Sequence, residues 1–187
     1  VNFKLWLESQ YKFNMKRLPL ILQGLAAEAV KAGSFTEFKK DFTLQIKHGL
    51  YWHWTDDIYF KIDSERGPRD MSSLAAGGMD EGKLMITSDI DAWANYGTRP
   101  YAALIDMTEV PRNGYRQVNR GFGNEFFVSD PSKAKVLEVL PRKQAFAKDR
   151  QQRSLLSKAI NSNEDLEAFY DAVNGFHQER QLDSPLN

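Results

Sequence analysis

With three histidines and no cysteine, the chain has few groups that could do chemistry. The missing thiols exclude a cysteine nucleophile, a Cys-based zinc site and a disulfide framework. His48 stands at the end of a helical stretch, where an imidazolium favours the helix dipole, and that is a sufficient structural reason for it. His177 lies beside Gln178, Glu179 and Arg180 and is expected in solvent. His53 differs, because it sits in the aromatic run Tyr51-Trp52-His53-Trp54-Thr55. In a strand, Tyr51, His53 and Thr55 share one face and Trp52 and Trp54 the other. A histidine so placed is either a satisfied core residue or a ligand-binding one. No HxH or HxxxH spacing exists, and Asp56 and Asp57 beside His53 do not make a metal-ligand pattern, so no metal site is predicted. Glu125 opens the apolar run Glu125-Phe126-Phe127-Val128 after a glycine-rich turn. Its carboxylate either points into a cleft or marks an exposed strand edge.

Two tempting motifs carry little. Neither GxGxxG nor GxxxxGK[ST] is present, and Gly77-Gly78 reads as loop flexibility. Arg120-Gly121-Phe122-Gly123 begins like an RNA-binding strand signature, but the next position, which should carry a base-stacking aromatic, is Asn124.

The elements that must hold these residues fall into three zones. Residues 1–48 read as helical. Phe3, Trp6, Leu7 and Phe13, then Leu18, Ile21, Leu22, Leu25 and Ala29, recur at helical spacings. Pro19 suits the first turn of a new helix, which Gly33 ends as its C′ residue. Ser34 and Glu37 form a capping-box signature for a helix over 35–47. Residues 49–143 form the core, with strands predicted at Leu50–Trp54, Leu84–Thr87, Tyr101–Met107, Glu125–Val128 and Ala134–Leu140. A short helix over 89–96 is expected behind Ser88 as N-cap. The stretch Asp63–Gly82 reads as a long loop. Residues 144–187 return to helix, the last one starting at Ser162 or Asn163 with Leu166, Phe169, Tyr170 and Val173 on its apolar face, before a frayed tail. The basic residues Arg142, Lys143, Lys148, Arg150 and Arg153 read as a solvated helix face. Strands without regular intervening helices argue against a doubly wound sheet, so the fold class is α+β.

The chain has 187 residues, enough for one domain with a real core, and 25 basic against 25 acidic side chains. Zero net charge argues against binding nucleic acid through a large cationic field. No apolar run approaches the ~20 residues of a membrane span. The opening VNFKLWLESQ lacks the order of a signal peptide, so a cytoplasmic protein, or an effector delivered to a host cytosol, is expected. A monomer is the default.

Three segments taken together resemble one family. Leu50-Tyr51-Trp52-His53-Trp54-Thr55 resembles the first catalytic strand of the poly(ADP-ribose) polymerase type of ADP-ribosyltransferase, written L-W-H-G-S/T. GKLMITSDIDAWANYG, from Gly82 to Gly97, resembles its strand-then-helix segment G-x-Y-F-A followed by A-x-Y, with Ala94-Asn95-Tyr96 on that ending. Asn124-Glu125-Phe126-Phe127-Val128-Ser129-Asp130 resembles N-E-Y-I-V-x-D. The segments occur in the family's order and leave the helical ends of the chain unmatched. The resemblance is to the His-Tyr-Glu class rather than the Arg-Ser-Glu toxins. It implies a split β-sheet core flanked by the terminal helices, with NAD as co-substrate and no metal. His53 would then hydrogen-bond the NAD ribose, Tyr96 would stack on nicotinamide, and Glu125 would bind the nicotinamide-ribose 2′-OH and stabilise the cation left behind. Thr55 matches a Ser/Thr that contacts NAD, and the Trp54 backbone stands where the family's glycine pairs with the carboxamide.

The chemistry fits these residue types. Cleaving the N-glycosidic bond of NAD builds oxocarbenium-like charge on the ribose. A fixed carboxylate aimed at that charge stabilises it most in a dry site, and an aromatic ring holds the flat nicotinamide cation. The departures bear on the outcome. Trp54 replaces the glycine, Ala92 and Trp93 stand where a serine touches the carboxamide, and Met85 replaces the strand tyrosine. Ala92 also stands where chain-elongating members carry lysine, which favours transfer of a single ADP-ribose to a protein acceptor, with a nucleic-acid acceptor as the lesser expectation. The alternatives are an NAD glycohydrolase, with water as acceptor, and a non-catalytic binding module on the same fold.

Overall fold

The computed structural model describes residues 18–43, 49–63, 67–68, 84–91, 99–119 and 125–182. Two compact units emerge, one of residues Leu50–Arg150 and one of the described residues up to Gly49 together with those from Gln151 onward.

The second of these is helical. Helix α1 spans Leu20–Ala32 behind Pro19, whose carbonyl accepts the Leu22 and Gln23 amides. It ends at Gly33 in the left-handed region at φ 72°, where a side chain would be strained. Ile21, Leu22, Leu25, Ala26 and Ala29 are buried along one face, as the spacing predicts. Helix α2 spans Phe35–Thr43, and Ser34 Oγ accepts the Glu37 amide at 3.3 Å. The residues 44–47 of its predicted extension lie outside the described residues, as does His48. The last helix, Asn163–Leu182, starts with a reciprocal cap: Ser162 Oγ accepts the Asp165 amide, and Asp165 Oδ2 accepts the Ser162 amide, each at 3.1 Å. Its buried face carries Leu166, Phe169 and Val173, and its Tyr170 ring lies 5.7 Å from Phe35 and 5.6 Å from Phe38.

The other unit is a sheet. Its strands are β1 (Leu50–Thr55), β2 (Ile62–Asp63), β3 (Gly67–Pro68), β4 (Leu84–Thr87), β5 (Tyr101–Asp106), β6 (Tyr115–Asn119), β7 (Glu125–Val128) and β8 (Lys135–Pro141). Strands β2 and β3 form a separate small ribbon. The six others make one sheet in the order β6-β7-β4-β1-β5-β8, with every neighbouring pair antiparallel. Helix α3, Arg142–Ala159, follows β8 directly, and the last helix above is α4. The chain is thus α+β, with four helices and a six-stranded antiparallel sheet among the described residues.

The core of the sheet is apolar on both sides of β1 and β4. Leu84, Ile86, Ala102, Ala103, Leu104, Ile105, Phe126 and Val128 are almost completely buried. Tyr51 packs edge-on against Phe126 at 5.5 Å and Tyr115 at 6.3 Å, which pins β1, β7 and β6 together on one face. On the other face the Trp52 indole N–H donates to the buried Asp149 carboxylate at 2.9 Å, and Trp54 lies 5.8 Å from Phe146. These contacts dock the first half of α3 on β1. The basic face predicted there is therefore only partly solvated. Arg142 stacks over Trp54 at 5.0 Å and Phe146 at 5.7 Å, and Lys148 pairs with Glu138, while Lys143, Arg150 and Arg153 are exposed. Among the described residues, no helix is long and apolar enough to cross a membrane.

Candidate active site

The position of β1 decides the geometry. Toward β5 it is paired along its whole length, from Leu50↔Asp106 to Thr55↔Tyr101. Toward β4 it has the single register pair Trp52↔Thr87. Strand β4 in turn pairs fully with β7, from Leu84↔Val128 to Thr87↔Glu125. A seam therefore runs between β1 and β4; His53 borders it, and Glu125 lies one strand further, on β7 across β4.

Glu125 is the first residue of β7, beside Thr87. It is only 7% exposed, and its Oε1 is buried without a hydrogen-bond partner. Burial pushes its carboxyl above the ordinary value near 4.5, because the charged form loses hydration. A buried, under-satisfied carboxylate is rare, since each such atom carries the full cost of desolvation. The exposed-edge reading of Glu125 does not hold here.

His53 is 5% exposed. Its Nδ1 lies 2.7 Å from the Met85 carbonyl of β4, so the ring crosses the seam. Phe60 stacks on it, with centroids 4.5 Å apart and planes 25° apart. Thr55 is fully buried, and its Oγ1 accepts the Asp57 amide at 3.1 Å, which starts the turn leading to Phe60. Trp54 turns its indole to the α3 face, and its carbonyl lies 3.5 Å from Arg99 Nη1. The indole thus points away from the side of β1 that carries His53.

The two polar residues do not leave the sheet on the same side. The row Trp52–Thr87–Glu125 places Glu125 on the Trp52 face. Alternation along β1 places His53 with Tyr51, and Tyr51 meets Phe126, which alternates with Glu125 along β7. His53 and Glu125 both border β4, at Met85 and Thr87, but from opposite faces.

Tyr96, Ala92 and Trp93 lie outside the described residues, as do Gly77-Gly78 and Arg120 to Asn124. Of the predicted helix over 89–96, Ile90 and Asp91 are described as helical, and Asp89 Oδ1 accepts the Asp91 amide at 3.1 Å. Asp130, the last residue of the Glu125 segment, is exposed. Its carboxylate accepts the Ser132 amide at 3.0 Å, and it is held below the ordinary range first by the Ser132 side chain and then by that amide. It closes a turn. His177 is exposed on α4. Among the described residues, no group of three or more His, Asp or Glu side chains is placed to hold a metal.

Sequence reasoning missed Phe60, Asp149 and Arg99. The signal for Phe60 is the ring following the polar Asp56-Asp57 turn, one turn away from His53. Asp149 had no local signal, since its partner Trp52 is 97 residues away. The chain matches no protein-family model, no curated protein and no solved structure.

Proposed function

We propose that this protein is an NAD-dependent mono-ADP-ribosyltransferase that uses Glu125 as its catalytic carboxylate. The observation that carries the proposal is the buried Glu125 with its unpartnered Oε1. The fold gains nothing from such a group, and catalytic sites are where desolvated carboxylates are kept. It occupies the position that resembles the family's catalytic glutamate. In this reading Glu125 binds the 2′-OH of the nicotinamide ribose, and its charge stabilises the oxocarbenium-like cation as the C1′–N bond breaks. The bonding pair leaves with nicotinamide, and an acceptor side chain then attacks C1′. Tyr96 would stack on the nicotinamide.

The opposite faces of His53 and Glu125 set a condition on the ligand. A compact ligand held on one face of the sheet would meet only one of the two residues. An extended ligand lying on one face meets the same limit, so the shared role that the resemblance implies for His53 and Glu125 draws no support from these faces, and the proposal stands on Glu125. The split core that the resemblance implies would be the seam between β1 and β4. The Trp54 indole turns onto Phe146, away from the face that carries His53 and onto the one that carries Glu125.

A structural role for His53 is favoured by a specific observation, its burial under Phe60 with Nδ1 on Met85. Incubation with NAD labelled in the adenosine moiety, in a cell lysate, tests the proposal. Labelled protein is expected with the native chain and not with Glu125→Ala of unchanged circular dichroism. Equal labelling by that variant contradicts the assignment. Nicotinamide release without labelled protein assigns the glycohydrolase instead, and no NAD binding by calorimetry assigns the binding module.

A further inference from the structure

We propose that Phe127 is a positioning residue for Glu125: its ring holds the Arg116 guanidinium and so keeps that cation off the Glu125 carboxylate. Its value to the reaction rests on the function proposed above; the hold on Arg116 does not.

The register brings the three side chains to one face. Arg116 of β6 stands opposite Phe127 of β7, and Phe127 and Glu125 are two residues apart on that strand. Arg116 is therefore a diagonal neighbour of Glu125, and such neighbours lie about 7–8 Å apart, within reach of a long side chain. A desolvated carboxylate with an unpartnered oxygen should draw a guanidinium, whose planar fork matches it. Arg116 goes elsewhere. Its guanidinium lies over the Phe127 ring, 5.3 Å from the centroid, and remains exposed. Burial raises the Glu125 carboxyl, and Arg116 does not offset it.

The other neighbours leave the carboxylate as it is. Its register partners, Thr87 on β4 and Asn119 on β6, carry no charge. On the same face the Asp149 carboxylate accepts the Trp52 indole N–H, and Arg142 stacks over Trp54. Phe127 is itself fixed, 5% exposed and paired with Met85 on its other side. A guanidinium seated on Glu125 would cancel much of the negative field that a cation formed there needs. The ring thus acts on the reaction at one remove, by where it keeps a charge.

The test is ¹³C NMR titration of the glutamate carboxyls in the full chain, with Glu125→Gln assigning the Glu125 signal and the Arg116 Nε–H signal followed in parallel. In the native chain the Arg116 signal is expected at a ring-shifted position that stays put as Glu125 ionises. A signal that follows the Glu125 titration shows the two already paired and overturns the proposal. Phe127→Met keeps an apolar side chain without the ring, and Phe127→Tyr keeps the ring. The Glu125 midpoint is expected to fall by about one unit or more in Phe127→Met, to stay native in Phe127→Tyr, and to recover when Arg116→Gln is added to Phe127→Met. A native midpoint in Phe127→Met, or a fall that Arg116→Gln does not reverse, contradicts the proposal. Where Phe127→Met fails to fold, Arg116→Gln alone decides: an unchanged midpoint is expected, and a rise of about one unit overturns the hold. Nicotinamide release from NAD is read separately. A loss of about tenfold in Phe127→Met, recovered by adding Arg116→Gln, ties the held cation to the reaction. No release by the native chain, with the titrations as expected, leaves the hold on Arg116 standing and contradicts the function proposed above.

Discussion

The two edges of β1 differ. On the β5 side every residue from Leu50 to Thr55 has a register partner, and Ala102, Ala103, Leu104 and Ile105 are fully buried. On the β4 side pairing is confined to Trp52↔Thr87; His53 borders that gap, and Glu125 lies beyond it, on β7 across β4. One edge gains stability from a closed ladder and a filled core. Beyond the other, on β7, lies a carboxylate oxygen without a partner. Stability is drawn from one edge of the strand, the chemistry proposed for Glu125 lies beyond the other, and the difference can be tested from both sides.

The largest effect belongs to Glu125, beyond the open edge. Glu125→Ala is expected to lower turnover of NAD by about 10²–10³-fold, as removal of a preorganised transition-state group does, and steady-state kinetics check it. The closed edge comes next. Leu104→Ala is expected to cost about 2–5 kcal/mol of unfolding free energy through the cavity left in the sheet's core, read by urea denaturation. Asp149→Ala strands the buried Trp52 indole N–H and is expected to cost about 1–3 kcal/mol; Trp52→Phe in the same background should recover part of that loss. Ser162→Ala, far along the chain in the cap of α4, is expected to cost about 1 kcal/mol and to leave NAD turnover unchanged.

A pH experiment sharpens the comparison further. The Glu125 carboxyl is raised above its ordinary value near 4.5 by burial. The native state therefore keeps a proton that the unfolded chain has lost, over the window from about 4.5 up to the raised value. Stability falls as pH rises through that window. Glu125→Gln removes the penalty, so the variant is expected to be more stable than the native chain at pH 7 and no more stable at pH 4. Urea denaturation at the two pH values checks this, and an equal difference at both contradicts the burial argument.

What could be read from the sequence was what neighbouring residues decide. The start of α4 was legible because Ser162 and Asp165 cap each other within one turn. The bounds of β4 and β7 were legible because short apolar runs stand between turn residues. Strand β6 was not, since Arg116, Gln117 and Asn119 carry no apolar alternation; its anchor is Tyr115, buried against Tyr51 and Phe126 from distant parts of the chain. At the site, the burial of Glu125 could not be read from one acid before an apolar run, because it depends on Thr87 lying alongside. The opposite faces of His53 and Glu125 were equally hidden. They follow from a register set between strands, which alternation within a strand does not specify. The face of Trp54 was legible from alternation alone, though its partners Phe146 and Arg142 were not.

The central claim is that Glu125 stabilises the cation formed when nicotinamide leaves NAD. Chromatographic measurement of nicotinamide released from NAD by the native chain and by Glu125→Gln tests it without knowledge of the acceptor. The account predicts steady release by the native protein and a loss of about 10²-fold or more in the variant. Equal release by the two, or none by the native protein with NAD bound, would contradict it.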